Sequence, residues 1–303
     1  MNQIKKWQIF GLFTVFTLAI ILLAAWSTTE KAALSPYFDL PQQIKSIKLS
    51  RDFTFAGEKI PINDDTKERL DRELLVNAYW QSTTMLHLKL ANKYFPQIKP
   101  ILEEYNIPED FLYLAVAESS LRNATSSASA KGFWQFMKPS ATEMGLIINE
   151  EIDERYNLEK STRAACKYLL QLKNRFSSWS NVAGAYNMGP TAFANAMAKQ
   201  KESSYFDLSI SEETSRYVFR IVAIKEIMRH PEDFGYYVEE DHHYTGLPEF
   251  TYHVIEKPIL SLADFAHENG LTYRLLKYYN PWLISDKVNP EPGTELKIRV
   301  PKK

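Results

Sequence analysis

Cysteine is nearly absent from this 303-residue chain; Cys166 stands alone. No internal disulfide can form, and no cysteine near the N-terminus is available to carry a lipid. Cys166 lies in STRAACKYLLQL, a helical and apolar setting where a thiol packs as a structural group and does not act as a nucleophile. A basic surplus is absent too. With 36 Lys and Arg against 37 Asp and Glu, the net charge is −1, which excludes the electrostatic footprint of a nucleic-acid binder. The six histidines form no i, i+4 pair around a glutamate, and His242-His243 diverge on most backbones, so no metal site is expected. There is no glycine-rich phosphate loop, and no cofactor is expected. No long alternating strand interrupts 66–230, which excludes a β-rich domain there.

Apolar residues are plentiful by contrast, at 45%, and aromatics reach 13%, which suits both a packed core and the stacking of sugar faces. At the N-terminus Lys5 and Lys6 precede an uncharged apolar run over 7–26. About twenty residues at ~1.5 Å each would cross a hydrocarbon core of ~30 Å. The run reads as a signal anchor or as a signal peptide. Either leaves the lysines in the cytoplasm and exports everything after Ser27. The stretch 27–65 mixes Pro36, Pro41, Gly57 and Pro61 and reads as an extended tether with one hairpin at FTFAGEKIPI. Helical periodicity then places helices over 66–81, 85–94, 96–105, 108–121, 139–144, 161–176, 192–199 and 212–229. A polar, aromatic linker covers 236–250. The final 251–303 reads strand, helix, helix, strand, with Ser261 and Thr272 capping the helices, Asn280-Pro281 ending the second, and Pro292-Gly293 turning into the last strand.

Within the helical part, Glu118 shares an apolar face with Phe111, Leu114, Ala115 and Leu121. Ionisation is costly on such a stripe, so the carboxyl should hold a proton near neutrality. Downstream, no Asp or Glu follows until Glu143, so no second carboxylate stands close in sequence. Small residues crowd SSASAKGFWQFM, from Ser126 to Met137, and would let a bulky ligand reach the backbone, with Gln135 offering both donor and acceptor. AGAYNMGP puts Tyr186 and Asn187 on a small-residue corner. Plainer readings stay beside these. Arg122 at i+4 is a ready salt-bridge partner for Glu118, Trp134, Phe136 and Met137 could be core, Glu213 could serve only the dipole of its helix, and Tyr186-Asn187 could be a helix-end turn.

Four ordered motifs, Glu118-Ser119, Ser126 to Gly132 running into Trp134-Gln135-Phe136-Met137, Tyr186-Asn187-Met188-Gly189, and Glu213-Thr214-Ser215-Arg216-Tyr217-Val218, resemble the lytic transglycosylases of the goose-type lysozyme class, and among them the membrane-bound murein transglycosylase D group. The likeness runs over 66–235, with Ser129 where the family usually has glycine. It implies a mainly α, lysozyme-like catalytic domain whose Glu118 protonates the bond between N-acetylmuramic acid and N-acetylglucosamine, then takes a proton from the muramyl 6-hydroxyl to close a 1,6-anhydro ring. It further implies that Ser119, Ser126, Gln135 and Met137 position the glycan, and that Tyr186, Asn187, Glu213 and Tyr217 orient Glu118 or hold sugars. The closing 251–303 resembles a LysM module, a small α+β (βααβ) fold, although Lys257-Pro258-Ile259-Leu260 replaces the usual Gly-Asp-Thr-Leu after the first strand. It could bind glycan or serve structure only. The implied partners are peptidoglycan glycan strands and, through the apolar N-terminus, the cytoplasmic membrane, in the periplasm of a bacterial envelope. A lysozyme-type muramidase using water, and an inactive glycan-binding scaffold, are the alternatives.

Overall fold

The computed structural model of the chain describes residues 44–49, 51–290 and 293–302. The apolar run at 7–26 lies outside them; among the described residues no helix is long and apolar enough to cross a membrane. A two-residue turn, Ala56 (φ 50°) and Gly57 (φ 79°), joins β1 (Thr54–Phe55) to β2 (Glu58–Lys59) in an antiparallel pair. Positive φ at both turn positions is the twist such hairpins need. Phe53, Phe55 and Ile60 are buried, with Phe55 against Phe111 at 5.3 Å. The end of the supposed extended tether is therefore core, because its alternate residues carry aromatic and aliphatic side chains that gain from leaving water.

Asn63 opens α1 (Asp64–Ala78) through a capping box with Thr66. α2 (Gln81–Glu104) is one helix where the proline spacing suggested two; it runs through Pro96 and Pro100. Each proline removes one backbone donor, and Leu88, Ile98, Ile101 and Leu102, buried along one side, hold the helix straight through. α3 (Phe111–Ser119) is buried on every side from Phe111 to Val116, as a central helix must be when it has no polar face. α4 (Lys138–Glu143) and α5 (Leu158–Arg175) follow, the latter capped by Asn157.

α6 (Trp179–Met188) was not expected. AGAYNMGP looks like a corner in sequence, but Ser178 caps the helix and Gly184 sits inside it. A Cβ on Gly184 would lie 2.7 Å from both Phe193 and Tyr205, so the glycine is there for close packing. Gly189 (φ 88°) breaks the chain into α7 (Pro190–Gln200), and Ser211 caps α8 (Glu212–Arg229), which packs along α1, α3 and α6.

The stretch read as a linker lies against the helices: the Tyr236 hydroxyl donates to Ala78 O at 2.6 Å, and Asn92 donates to Tyr244 O at 3.2 Å. Beyond it β3 (Phe250–Ile255) pairs antiparallel with β4 (Leu296–Pro301), Phe250 opposite Pro301 and Ile255 opposite Leu296, around α9 (Leu262–Glu268) and α10 (Tyr273–Tyr279). Ser261 and Thr272 cap these helices as their sequences require. The fold is thus a lysozyme-like helical domain followed by a small βααβ domain.

Candidate active site

Glu118 occupies the last turn of α3, and the backbone stops the helix just past it. Ser120 (φ 53°) and Leu121 (φ 55°) are consecutive left-handed residues, neither of them glycine. Such a conformation costs about 1 kcal/mol or more per residue. It is held here because Leu121 is fully buried and Ser120 N–H closes on Val116 O at 2.8 Å. The turn carries the chain away at once and leaves the Glu118 side chain partly open to solvent at the end of an apolar helix.

The Glu118 carboxylate accepts a hydrogen bond from the hydroxyl of Tyr217, which α8 carries. Burial pushes the Glu118 carboxyl up from the ordinary carboxylate range to about 7; the Tyr217 hydrogen bond and the Arg220 guanidinium pull it back, and Glu213 pushes it further up. Burial also holds the Tyr217 and Tyr186 phenols well above the usual tyrosine range, so both remain donors. Arg122 is exposed, and Tyr217 takes the place of the sequence's obvious salt-bridge partner. The arrangement offers a carboxyl that can exist in either protonation state near neutrality, aligned by a phenol.

The remaining sequence-selected residues fall into distinct places. The Ser126 hydroxyl accepts from Ala130 N–H at 3.0 Å and shapes a tight loop. Ser129 in that loop has φ 66°, so the positive φ that a glycine would supply persists with a serine. Gln135, also left-handed at φ 47°, donates from Nε2 to Ala124 O at 3.2 Å and Gly132 O at 2.8 Å, which leaves Oε1 to accept from a ligand. Met137 is exposed at 45%, whereas Phe133, Trp134 and Phe136 are buried core, Trp134 donating to Thr162 Oγ1 at 3.0 Å. The Tyr186 hydroxyl donates to Trp134 O at 2.7 Å, and Asn187 Oδ1 accepts from Thr214 Oγ1 at 2.8 Å. These two bonds tie α6 to the 126–137 loop and to the start of α8. The Ser119 hydroxyl turns back onto Ala115 O at 3.0 Å and is buried, so it serves its own helix. Glu213 is exposed in the first turn of α8.

Two groups escaped the sequence reading. Arg220 lies one turn past Tyr217 on α8, on the face that meets Glu118, and that i+3 spacing was there to be read. Glu73 of α1, only 2% exposed, receives Arg72 at 2.8 Å, Arg216 at 3.3 Å and Arg220 at 3.5 Å; nothing local in the sequence announces it. Cys166 is fully buried and its thiol is pushed up to about 12 by burial, so it stays protonated. Among the described residues Glu239, Asp241 and His242 bring potential metal-ligand atoms within 4.8 Å of one another; all three are exposed, on the segment leading to β3.

Residues 97–208 match the Transglycosylase SLT domain, and residues 251–303 match the Soluble lytic transglycosylase C-terminal LysM-like domain. The chain is 27% identical over 193 residues to membrane-bound lytic murein transglycosylase D of Escherichia coli strain K12, a match covering 60% of this chain and 42% of that protein. It is also 27% identical over 132 residues to a putative tributyltin chloride resistance protein of Alteromonas sp. strain M-1, covering 43% of this chain and 64% of the relative. The chain thus spans less than half the length of the first relative. Glu118, Gln135, Tyr186 and Asn187 fall inside the matched SLT segment, while Glu73, Tyr217 and Arg220 fall outside it.

Proposed function

We propose that this chain, an SLT transglycosylase domain followed by a LysM-like domain, is a peptidoglycan lytic transglycosylase that remodels the bacterial cell wall. The bond it cleaves is the β-1,4 linkage from N-acetylmuramic acid to N-acetylglucosamine. Protonated Glu118 gives its proton to the glycosidic oxygen, and the muramyl C1–O bond breaks. The substrate's own 2-acetamido group, or an oxocarbenium-like state, covers the developing charge in place of a protein nucleophile. The muramyl 6-hydroxyl oxygen then bonds to C1 as its proton passes to ionised Glu118, which restores the acid. No water is consumed. A carboxyl pushed up to about 7 suits both halves of the cycle, and Tyr217 holds it in place through each.

The observation that carries this reading is the pairing of Glu118 with a phenol instead of a second carboxylate. A muramidase activating water would use the same acid, so product mass separates the two. Purified sacculi digested with the chain should release muropeptides lighter by one water than the hydrolytic products; hydrolytic masses would convert the assignment to a muramidase, and no release would leave a glycan-binding scaffold. Ser126, Gln135 and Met137 would line the glycan side of the cleft, with Gln135 Oε1 accepting from an acetamido N–H. The apolar run at 7–26 behind Lys5 and Lys6 would hold the enzyme at the periplasmic face of the inner membrane, in keeping with the membrane-bound relative.

A further inference from the structure

The two domains share a seam at residues 151–155. Ile152 forms a β-bridge with Leu283, Asp153 N–H donates to Trp282 O at 2.9 Å, and Ile284 N–H donates to Glu151 O at 2.9 Å. The Glu151 carboxylate accepts from Asn289 twice, N–H at 2.7 Å and Nδ2 at 2.6 Å. The Ile152 side chain, 1% exposed, belongs to the core of the C-terminal domain with Leu262, Leu276, Trp282, Leu283 and Ile298. A helical-domain residue thus completes the other domain's interior.

The opposite side of the same segment grips the loop that carries Ser126 and Gln135. Asp153 and Arg155 form a buried, two-pronged ion pair, Nε at 2.9 Å and Nη2 at 2.7 Å, with Lys131 Nζ at 3.4 Å. Arg155 Nη1 donates to both Ser129 O and Phe136 O at 3.2 Å, stapling the two ends of the loop. Gly132 lies so close that a Cβ there would fall 1.9 Å from Arg155 O. Peptide carbonyls at Ser129 and Phe136 are therefore set by a guanidinium whose own partner, Asp153, is bonded through its backbone to Trp282.

We infer that the LysM-like domain is a buttress of the active site: docked on Glu151, Ile152 and Asp153, it fixes Arg155 and so the shape of the 126–137 loop, and it contributes to turnover as well as to any glycan capture. Glu151, Ile152, Asp153 and Arg155 act as positioning residues. As a statement about catalysis the inference rests on the proposed transglycosylase reading; as a statement about the loop it does not.

The test uses the full chain with Glu151→Ala and, from the other side of the seam, Asn289→Ala, and with Lys302→Ala as a control that breaks only the Lys302–Glu249 pair at 2.9 Å. Hydrogen exchange at the amides of 129–136 should speed up in both seam variants and stay unchanged in the control. On a saturating soluble muramyl tetrasaccharide the kcat of Glu151→Ala should fall roughly ten-fold, the scale on which small misplacements of positioning groups are felt, and that of Asn289→Ala, which keeps its backbone N–H bond, by less. A domain that merely concentrates the enzyme on polymer would leave that kcat unchanged and lower only sacculus digestion. The double variant should behave like Glu151→Ala alone, because Asn289→Ala removes only the Nδ2 bond to a carboxylate that Glu151→Ala already deletes. Faster exchange confined to 282–289, with normal exchange at 129–136, overturns the inference. A wild-type chain inactive on sacculi would overturn the proposed function, while the exchange pattern would still decide whether the domain braces the loop.

Discussion

Glu118 and Glu73 are both sheltered carboxylates in the helical domain, and their surroundings assign them opposite work. Glu73, in the seam between α1 and α8, meets three guanidinium groups and is sealed at 2% exposure, so its charge is answered by cations. Glu118, at the end of α3, meets an apolar helix and a phenol, and burial pushes its carboxyl up to about 7. Shelter without a cation in contact is what pushes the Glu118 carboxyl up. Arg220 links the two sites, held by Glu73 at 3.5 Å while its field tempers Glu118.

The hardest blow to this contrast is to remove the acid. Glu118→Gln should cut release of muropeptides from sacculi by about a thousand-fold or more, within the range for a lost general acid–base; activity near wild type would remove Glu118 from the mechanism. Next in size, Glu73→Ala should cost about 3 kcal/mol in denaturant unfolding, the low end for a broken buried ion pair, because its arginines keep some water. A loss below about 0.5 kcal/mol, the scale of an exposed pair, would make Glu73 a surface contact in effect.

Tyr217→Phe sharpens the contrast further. The hydroxyl lowers the Glu118 pKa, so its loss should move the alkaline limb of the pH–rate profile to higher pH, with activity at neutrality down roughly ten-fold from lost alignment. An alkaline limb moving to lower pH would mean that Tyr217 had been raising the carboxyl. The smallest expected change is Ser129→Gly, which relieves the left-handed backbone at φ 66° and should raise stability by about 0.5–1 kcal/mol, readable as a higher thermal midpoint. A lower midpoint would mean that the serine side chain contributes more than the strain it brings.

Much of the architecture was legible because it is written locally. Ser261 before Leu262 and Thr272 before Tyr273 are caps that any helix of those sequences would use, and the βααβ order of 251–303 follows from its turns. What escaped is set by distant partners. α2 crosses Pro96 and Pro100 because buried contacts outweigh two missing donors, and α6 tolerates Gly184 because Phe193 and Tyr205 leave no room for a side chain. The 53–60 hairpin was legible from its turn, but its burial was not, because Phe55 packs on Phe111, far along the chain. In the candidate site the position of Glu118 at a helix end was readable, and so was the tyrosine-bearing motif on α8. The Glu73–Arg220 pair spans 147 residues, and the Arg155 staple depends on a loop fold, so neither leaves a local mark.

The most direct measurement is the titration of Glu118 itself, by the carboxyl carbon-13 shift in labelled protein, with Glu118→Gln identifying the resonance. A midpoint close to 7 is expected, along with a linked loss of stability as pH rises through it, since the folded pKa lies above the unfolded value of a glutamate. A midpoint near 4.5, with stability flat between pH 5 and pH 8 at this site, would contradict the claim that the cleft keeps a proton on Glu118 for catalysis.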